Sequence, residues 1–448
     1  MASKWSARLA VVVALACLVT ATAAIAQPST ARTERVSERS NGVEGNDDSF
    51  WCAISGDGRF VGFTSRASNL IGADRNGATD VFLHNRANGT PEFVSIKSTG
   101  SQANRASEAP SLSHTGRYVA FTTSASNLAI KGDRNGVADV FVYDRNEGRT
   151  NRASIRSNLK EANGASYDPS ISANGRFVAF TSTASNLAVK GDNNGDADVF
   201  VHDRVTLKTN RVSISSKLKE GNSSSYSSAI SGDGRLVAFV SYASNLVPRD
   251  TNRRPDVFVY NRATRKTIRI SIASDGTQAD GESAAPMFSQ DGGFVTFQSN
   301  ATNLIGSDTN NATDVFVHEL STGETTRASR GMAGAESNGE SFIPAISGDG
   351  RYVAFQSTAS NLVAGDTNGT PNAWEGIDVF RYDRQTGQTE RVSVGDDGEQ
   401  ANGPSNDPGD DPSISADGRY VCFASRASNL VEDDTNGSYD VFVRGPLL

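Results

Sequence analysis

The chain has 448 residues, 37% hydrophobic and 21% charged, and its 51 acidic against 43 basic side chains give a formal net charge of −8. No basic cluster stands out, so nucleic acid is excluded as an expected partner. The acidity fits a soluble exported protein, or one that handles cations.

Residues 1–26 read as a secretory signal. Lys4 and Arg8 form a positive start, Leu9–Thr20 an apolar run, and Ala24-Ile25-Ala26 a small-residue cleavage site before Gln27. The apolar run is short for a membrane anchor. Leu15-Ala16-Cys17 offers a lipoprotein signal as a minor alternative, although Ala14 stands where a larger aliphatic is usual. Cleavage removes Lys4, Arg8 and no acid, taking the formal charge from −8 to −10. Residues 27–448 are therefore expected in the periplasm or secreted, with no transmembrane segment.

From there the chain repeats itself. Ile54–Phe63 returns as Leu112–Phe121, Ile171–Phe180, Ile230–Phe239, Phe288–Phe297, Ile346–Phe355 and Ile414–Phe423. The turn glycines Gly58, Gly116, Gly175, Gly234, Gly292, Gly350 and Gly418 are spaced by 58, 59, 59, 58, 58 and 68 residues. A fixed period of this size marks a repeat architecture. In the third unit, Pro169–Ser172 is a short alternating run and Asn174-Gly175 a two-residue hairpin turn. Arg176–Thr181 is a second strand, Val199–His202 a third and Asn210–Ile214 a fourth, with a polar loop at Ala184–Asp198. Four short strands per unit predict a propeller blade. The coils of a stacked β-solenoid are shorter than this period. The seventh unit stops after its third strand, Asp440–Arg444, and the missing Thr-x-Arg-Val-Ser piece sits at the other end as Thr33–Ser37. The expected fold is all-β: a single seven-bladed β-propeller domain over residues 27–448, closed by the N-terminal strand pairing with the last blade. Closure removes two open sheet edges.

Three motifs carry a family resemblance: Pro-x-Ile-Ser-x-Asp-Gly-Arg-Tyr-Val-Ala-Phe, best seen at Pro412–Phe423, then Asp-Val-Phe-Val-x-Asp-Arg, then Thr-x-Arg-Val-Ser, both within Ile377–Ser393. This pattern resembles the WD-repeat-like propeller repeats of the TolB type and covers essentially all of the mature chain. The resemblance implies a propeller with an extracytoplasmic protein-binding role. There is no room for the small N-terminal α/β domain of TolB, so a Tol–Pal role does not transfer. Nor is there a hydrolase domain of the prolyl oligopeptidase kind.

Strand alternation puts the tight hairpins on one face and the long 2–3 loops and blade-to-blade links on the other, which is the expected binding face. The 2–3 loops read Asp-x-Asn-Gly-x-x-Asp. Asp74, Asn76 and Asp80, then Asp133, Asn135 and Asp139, then Asp192, Asn194 and Asp198 would offer oxygen ligands to calcium. The competing reading is turn chemistry, in which Asx side chains cap their own backbone. The links place Asn104, Asn163, Asn222, Asp280, Asn338 and Asn402 in an expected polar collar around the channel mouth. The 68-residue spacing holds two insertions, Asp366–Asp378 and Gly403–Asp411. There Trp374, Glu375, Asp407, Asp410 and Asp411 form a candidate contact for a partner. Cys52 and Cys422 fall in neighbouring blades across the closure and could form a disulfide or stay as two small buried residues. His84, His202 and His318 share one third-strand slot with Tyr143, Tyr260 and Tyr382, a substituted aromatic position and not a ligand set. No nucleophile elbow, zinc motif or phosphate loop is present. The expectation is a monomeric, non-enzymatic scaffold binding a protein or glycan without a cofactor. The alternatives are a calcium-binding repeat protein and a hydrolase or lyase using acids at the channel mouth.

Overall fold

A computed structural model describes residues 31–448 apart from 73, 130–131, 189–190, 307, 369–375 and 406–410. It contains seven four-stranded antiparallel sheets. Blade 3 is typical. Its inner strand Ser166–Ile171 pairs with Phe177–Ser182, which pairs with Asp198–Asp203 and then with the outer strand Lys208–Arg211. The last blade is composite, since Arg32–Arg35 pairs with Asp440–Gly445, with Thr33 opposite Arg444 and Arg35 opposite Phe442. The predicted seven blades and their closure by the N-terminal strand are therefore the observed architecture. No helix among the described residues is long and apolar enough to cross a membrane.

The second and third strands are buried almost throughout because both faces are covered by neighbouring blades. The core is correspondingly divided into seven clusters, each shared by adjacent blades. One joins Ala120, Val140 and Val142 of blade 2 to Val178, Phe180 and Phe200 of blade 3. Phe180 and Phe200 stack at 6.0 Å, and the same Phe pair recurs around the ring. The hairpin glycines are demanded twice over. Gly175 has φ +71°, and a Cβ there would overlap the ring of Tyr118 in the preceding blade. Arg204 then covers that ring, 4.3 Å from its centroid, and donates to Gly175 O at 2.5 Å. This explains the Asp-Arg that ends each typical third strand.

The inner strands share a bulge. Register slips by one residue between Tyr167 and Ser170, and at the matching place in the inner strands of blades 1 to 6. The bulged residues Trp51, Ala109, Asp168, Ser227, Ala285 and Ile343 all have φ between 49° and 53°. Left-handed backbone at Trp51 and at β-branched Ile343 costs about 1–3 kcal/mol each. All six bulged residues line the central channel.

Candidate functional site

The repeated loops come first, because the sequence marks them most loudly. In six of the seven blades three motifs meet: the two aspartates of the 2–3 loop, the Glu or Gln of the following link, and the arginine of the Thr-x-Arg-Val-Ser strand. In blade 2, Arg152 lies 3.6 Å from Asp133 and 3.5 Å from Asp139, and also pairs with Glu161. Arg211 meets Asp192 at 3.9 Å, Asp198 at 3.1 Å and Glu220. Arg35, Arg269, Arg327 and Arg391 repeat the arrangement. Among the described residues, four sets of three carboxylates are close enough to share a metal ion, Glu44 with Asp434 and Asp440 being one. In all four a guanidinium already occupies the cation's place. The asparagines also turn a donor, not an oxygen, toward the acids: Asn76 Nδ2 donates to Asp80 at 3.1 Å and to Ala103 O at 2.8 Å. Asn135 Nδ2 donates to Asp139 at 3.3 Å, and Asn194 Nδ2 to Gly221 O at 2.9 Å.

Blade 1 is the exception. Phe93 stands in the arginine slot and packs on Phe82, while Gln102 Nε2 donates to Asp74 at 2.9 Å and to Asp80 at 2.7 Å. Burial pushes Asp80 up to about 6 against hydrogen bonds from Ser95, Gln102 and Asn76. Burial likewise raises Asp139 to about 6 and Asp198 to about 7, with the arginine opposing it in both.

The link residues clasp the neighbouring loop. Asn104 Nδ2 donates to Ser126 Oγ at 2.9 Å, and Ser126 N returns a bond to Asn104 Oδ1 at 2.9 Å. Asn222, Asn338 and Asn402 do the same with Ser244, Ser360 and Ser428, while Asn163 donates to Ser185 Oγ and accepts from Asn186 N, and Asp280 accepts from both Thr302 N and Oγ1.

The channel wall itself is made by the inner strands. Its wide half, on the long-loop side, is a cavity of about 640 Å³. One arc carries Asp411, Trp51, Glu108, Asp168 and Tyr226 from blades 7, 1, 2, 3 and 4. The opposite arc is Ala285, Pro286, Ile343 and Pro344 from blades 5 and 6. The enclosing channel wall raises the Asp168 carboxyl although solvent reaches its side chain, and partial burial and then the Asp168 charge raise Glu108. Asp411 is reached by solvent but encircled by protein. Desolvation by the enclosing wall, and secondarily the Asp168 charge, raise its carboxyl.

The hairpin end of the channel is constricted, with a cavity of about 160 Å³. Seven backbone hydrogen bonds link every blade to the next around it. Asp57 N bonds His114 O, His114 N bonds Ala173 O, Ala173 N bonds Gly232 O and Gly232 N bonds Gln290 O. Asp291 N then bonds Gly348 O, Gly348 N bonds Ala416 O, and Ala416 N bonds Gly56 O, all at 2.8–3.1 Å. The slot is Gly or Ala in five blades. In blades 2 and 5 it is His114 and Gln290, whose side chains meet across the axis at 3.0 Å.

Trp374, Glu375, Asp407 and Asp410 lie outside the described residues. Asp411 is described and lines the channel. The structure joins Cys52 to Cys422, with Cα atoms 6.3 Å apart, across the blade 7–blade 1 seam. His202 and His318 are buried, each meeting a threonine hydroxyl at 2.9 Å, and burial lowers the pKa of both. Sequence reasoning missed the arginine clamps, the channel carboxylates Glu108 and Asp168, and the His114–Gln290 bridge. The last two were visible as departures from the repeat: Asp168 stands where blades 1, 2, 4, 5 and 6 carry Trp, Ala, Ser or Ile, Glu108 stands one position earlier, where blades 1 and 3 to 6 carry Phe, Tyr or Ala, and His114 and Gln290 replace Gly or Ala in the hairpin slot.

No family model matches the chain, and no curated protein does. Solved structures do match. An oligogalacturonate lyase in complex with manganese is 12% identical, with a TM-score of 0.54 over 93% of both chains. An oligogalacturonate lyase from Vibrio parahaemolyticus is 11% identical, with a TM-score of 0.53 over 92% of this chain and 93% of that one. TolB from Acinetobacter baumannii is 14% identical with a TM-score of 0.40, over 77% of this chain and 62% of its own. Identities this low speak to fold and not to activity. The chain is an all-β, seven-bladed propeller, with TolB-type and lyase propellers among its structural neighbours.

Proposed function

We propose that this is an exported, non-enzymatic, monomeric binding propeller that receives part of a protein or glycan of the cell envelope in the channel mouth on its long-loop face. The carrying observation is the asymmetry of the channel: wide and open at one end, bridged at the other, and lined by side chains that do not follow the repeat. Repeated residues have structural work to do in every blade, whereas a lining that differs blade by blade makes one shaped, polar-and-apolar surface. A hydrolase or lyase would have to use the same carboxylates. Among the described residues no histidine lines the wide cavity beside them.

The test is a peptide and envelope-glycan array probed with the purified chain and with Ala285→Trp. Trp51 already holds a tryptophan in this slot at φ 50°, so the variant is expected to fold. Filling the mouth should abolish the signals seen with the parent chain. Unchanged signals would remove the channel as the binding site.

Calcium is the second reading, because four loops group three acids. The arginine clamps weigh against it. Adding calcium or EDTA is expected to leave the melting temperature unchanged, and a calcium-dependent rise would reinstate the loops as metal sites.

A further inference from the structure

Most acids of this chain's repeated loops are matched to arginines. Three in the channel are not. Among the described residues, Glu108, Asp168 and Asp411 make no ion pair, and no Lys, Arg or His lines the wide cavity with them. A concave, walled site with one sign of charge focuses its field on whatever enters.

A second observation is independent of the acids. Thr122, directly opposite Glu108 in the strand register, lines the same cavity, is 2% exposed, and its Oγ1 has no hydrogen-bond partner among the described residues. Ser228 Oγ, also in the lining, is likewise without a partner. Buried hydroxyls are ordinarily paired, so an unpaired one on a residue of the wall leaves a polar group there unmatched. Thr64 and Thr181 occupy the matching slot in blades 1 and 3 and are also unpartnered. Of these, Thr122 is the one on the wall.

The shape of the lining narrows the ligand further. A bare or hydrated metal ion would want oxygen on all sides. Here the carboxylates lie on one arc, with Trp51 and Tyr226 beside them. The opposite arc is mainly apolar, Ala285, Pro286, Ile343 and Pro344, with Gln298 as its one amide, whose Oε1 is taken by Ile343 N. Carboxylates and aromatic rings together suit a cationic head. The apolar arc suits a hydrocarbon stem.

Resting on the channel-mouth reading above, we propose that the cavity binds an organic cation, a protonated amine or guanidinium on an apolar stem, with Asp168, Glu108 and Asp411 around the head and Ile343 with its neighbours along the stem. The chemistry is that of a lysine or arginine side chain on a polypeptide, or of a free alkylamine.

The experiment is calorimetric titration of the full purified chain with butylamine, agmatine, an Nα-acetyl-lysine peptide and the neutral isostere 1-butanol. The same titrations are run on Asp168→Asn, Glu108→Gln, and Asp275→Asn as a remote control. The amines should bind, the isostere should not, and each channel variant should weaken binding about tenfold or more, while the control binds as the parent does. Tighter binding of the peptide would identify a polypeptide source, and equal binding of the alkylamines a free one. Both outcomes support the proposal. Equal binding of amine and isostere, unchanged affinity in Asp168→Asn, or heat with calcium alone would overturn it. If the amines fail but Ala285→Trp still abolishes the array signals, the cation assignment falls and the channel-mouth reading stands. If neither responds, both fall.

Discussion

Arg152 is surrounded by three carboxylates and little water, its side chain 7% exposed and those of Asp133 and Asp139 2%. Desolvating these charges is expensive, and the guanidinium offsets the cost only while it is present. Asp139 has a folded-state pKa of about 6, above its unfolded value of about 3.9. Its ionisation therefore works against folding, with stability full below the unfolded value and lost as pH rises through about 6. Removing the arginine pushes that pKa further up. Arg152→Ala is expected to cost about 3 kcal/mol at pH 8 and less at pH 4, where Asp139 is protonated in the folded state. Urea unfolding at the two pH values checks this, and a loss of equal size at both would mean that packing and not charge holds the arginine. The acids of this cluster were legible in the sequence, and their number suggested calcium. Their partner was not, because Arg152 lies 13 residues beyond Asp139 on a different strand, and only the antiparallel fold-back brings the two together.

At the scale of elements, the blade was easy to read and the bulge was not. Alternation, Asn-Gly turns and Phe-rich second and third strands specify the four strands of each blade. A bulge in the inner strand carries no glycine signal. Its slot holds Trp51, Ala109, Asp168, Ser227, Ala285 and Ile343, residues that share no backbone preference for left-handed φ. Blade packing imposes the conformation on residues that all line the channel. The closing element is doubly fastened, by Arg32–Arg35 pairing with the last blade and by the Cys52–Cys422 bridge. The bridge spans 370 residues of sequence, so it constrains the unfolded chain strongly. Cys52→Ser is expected to lower stability by about 2–5 kcal/mol in oxidising buffer and to make no further difference under reductant. Guanidinium unfolding with and without dithiothreitol reads both, and equal stability of the two proteins in oxidising buffer would contradict the expectation.

At the scale of the molecule, the ring separates two tasks. What repeats around the ring builds the scaffold: phenylalanine pairs between blades, hairpin glycines under aromatic rings, and arginines inside acidic loops. What departs from the repeat collects on the axis, where His114 and Gln290 bridge one end and a carboxylate-and-aromatic arc faces an apolar arc at the other. The insertion around Trp374 is the competing location for a partner. The sequence singles it out by length, while the channel lining is scattered over seven short strands and becomes a surface only once the ring closes. Tryptophan emission separates the two. Besides Trp5, the chain has only Trp51, in the channel, and Trp374. The decisive measurement is emission of Trp374→Phe and of Trp51→Phe as the strongest ligand from the array is added. A response from Trp51 in the first variant is the predicted result. A response confined to Trp374 in the second would place binding on the insertion and contradict the channel as the site.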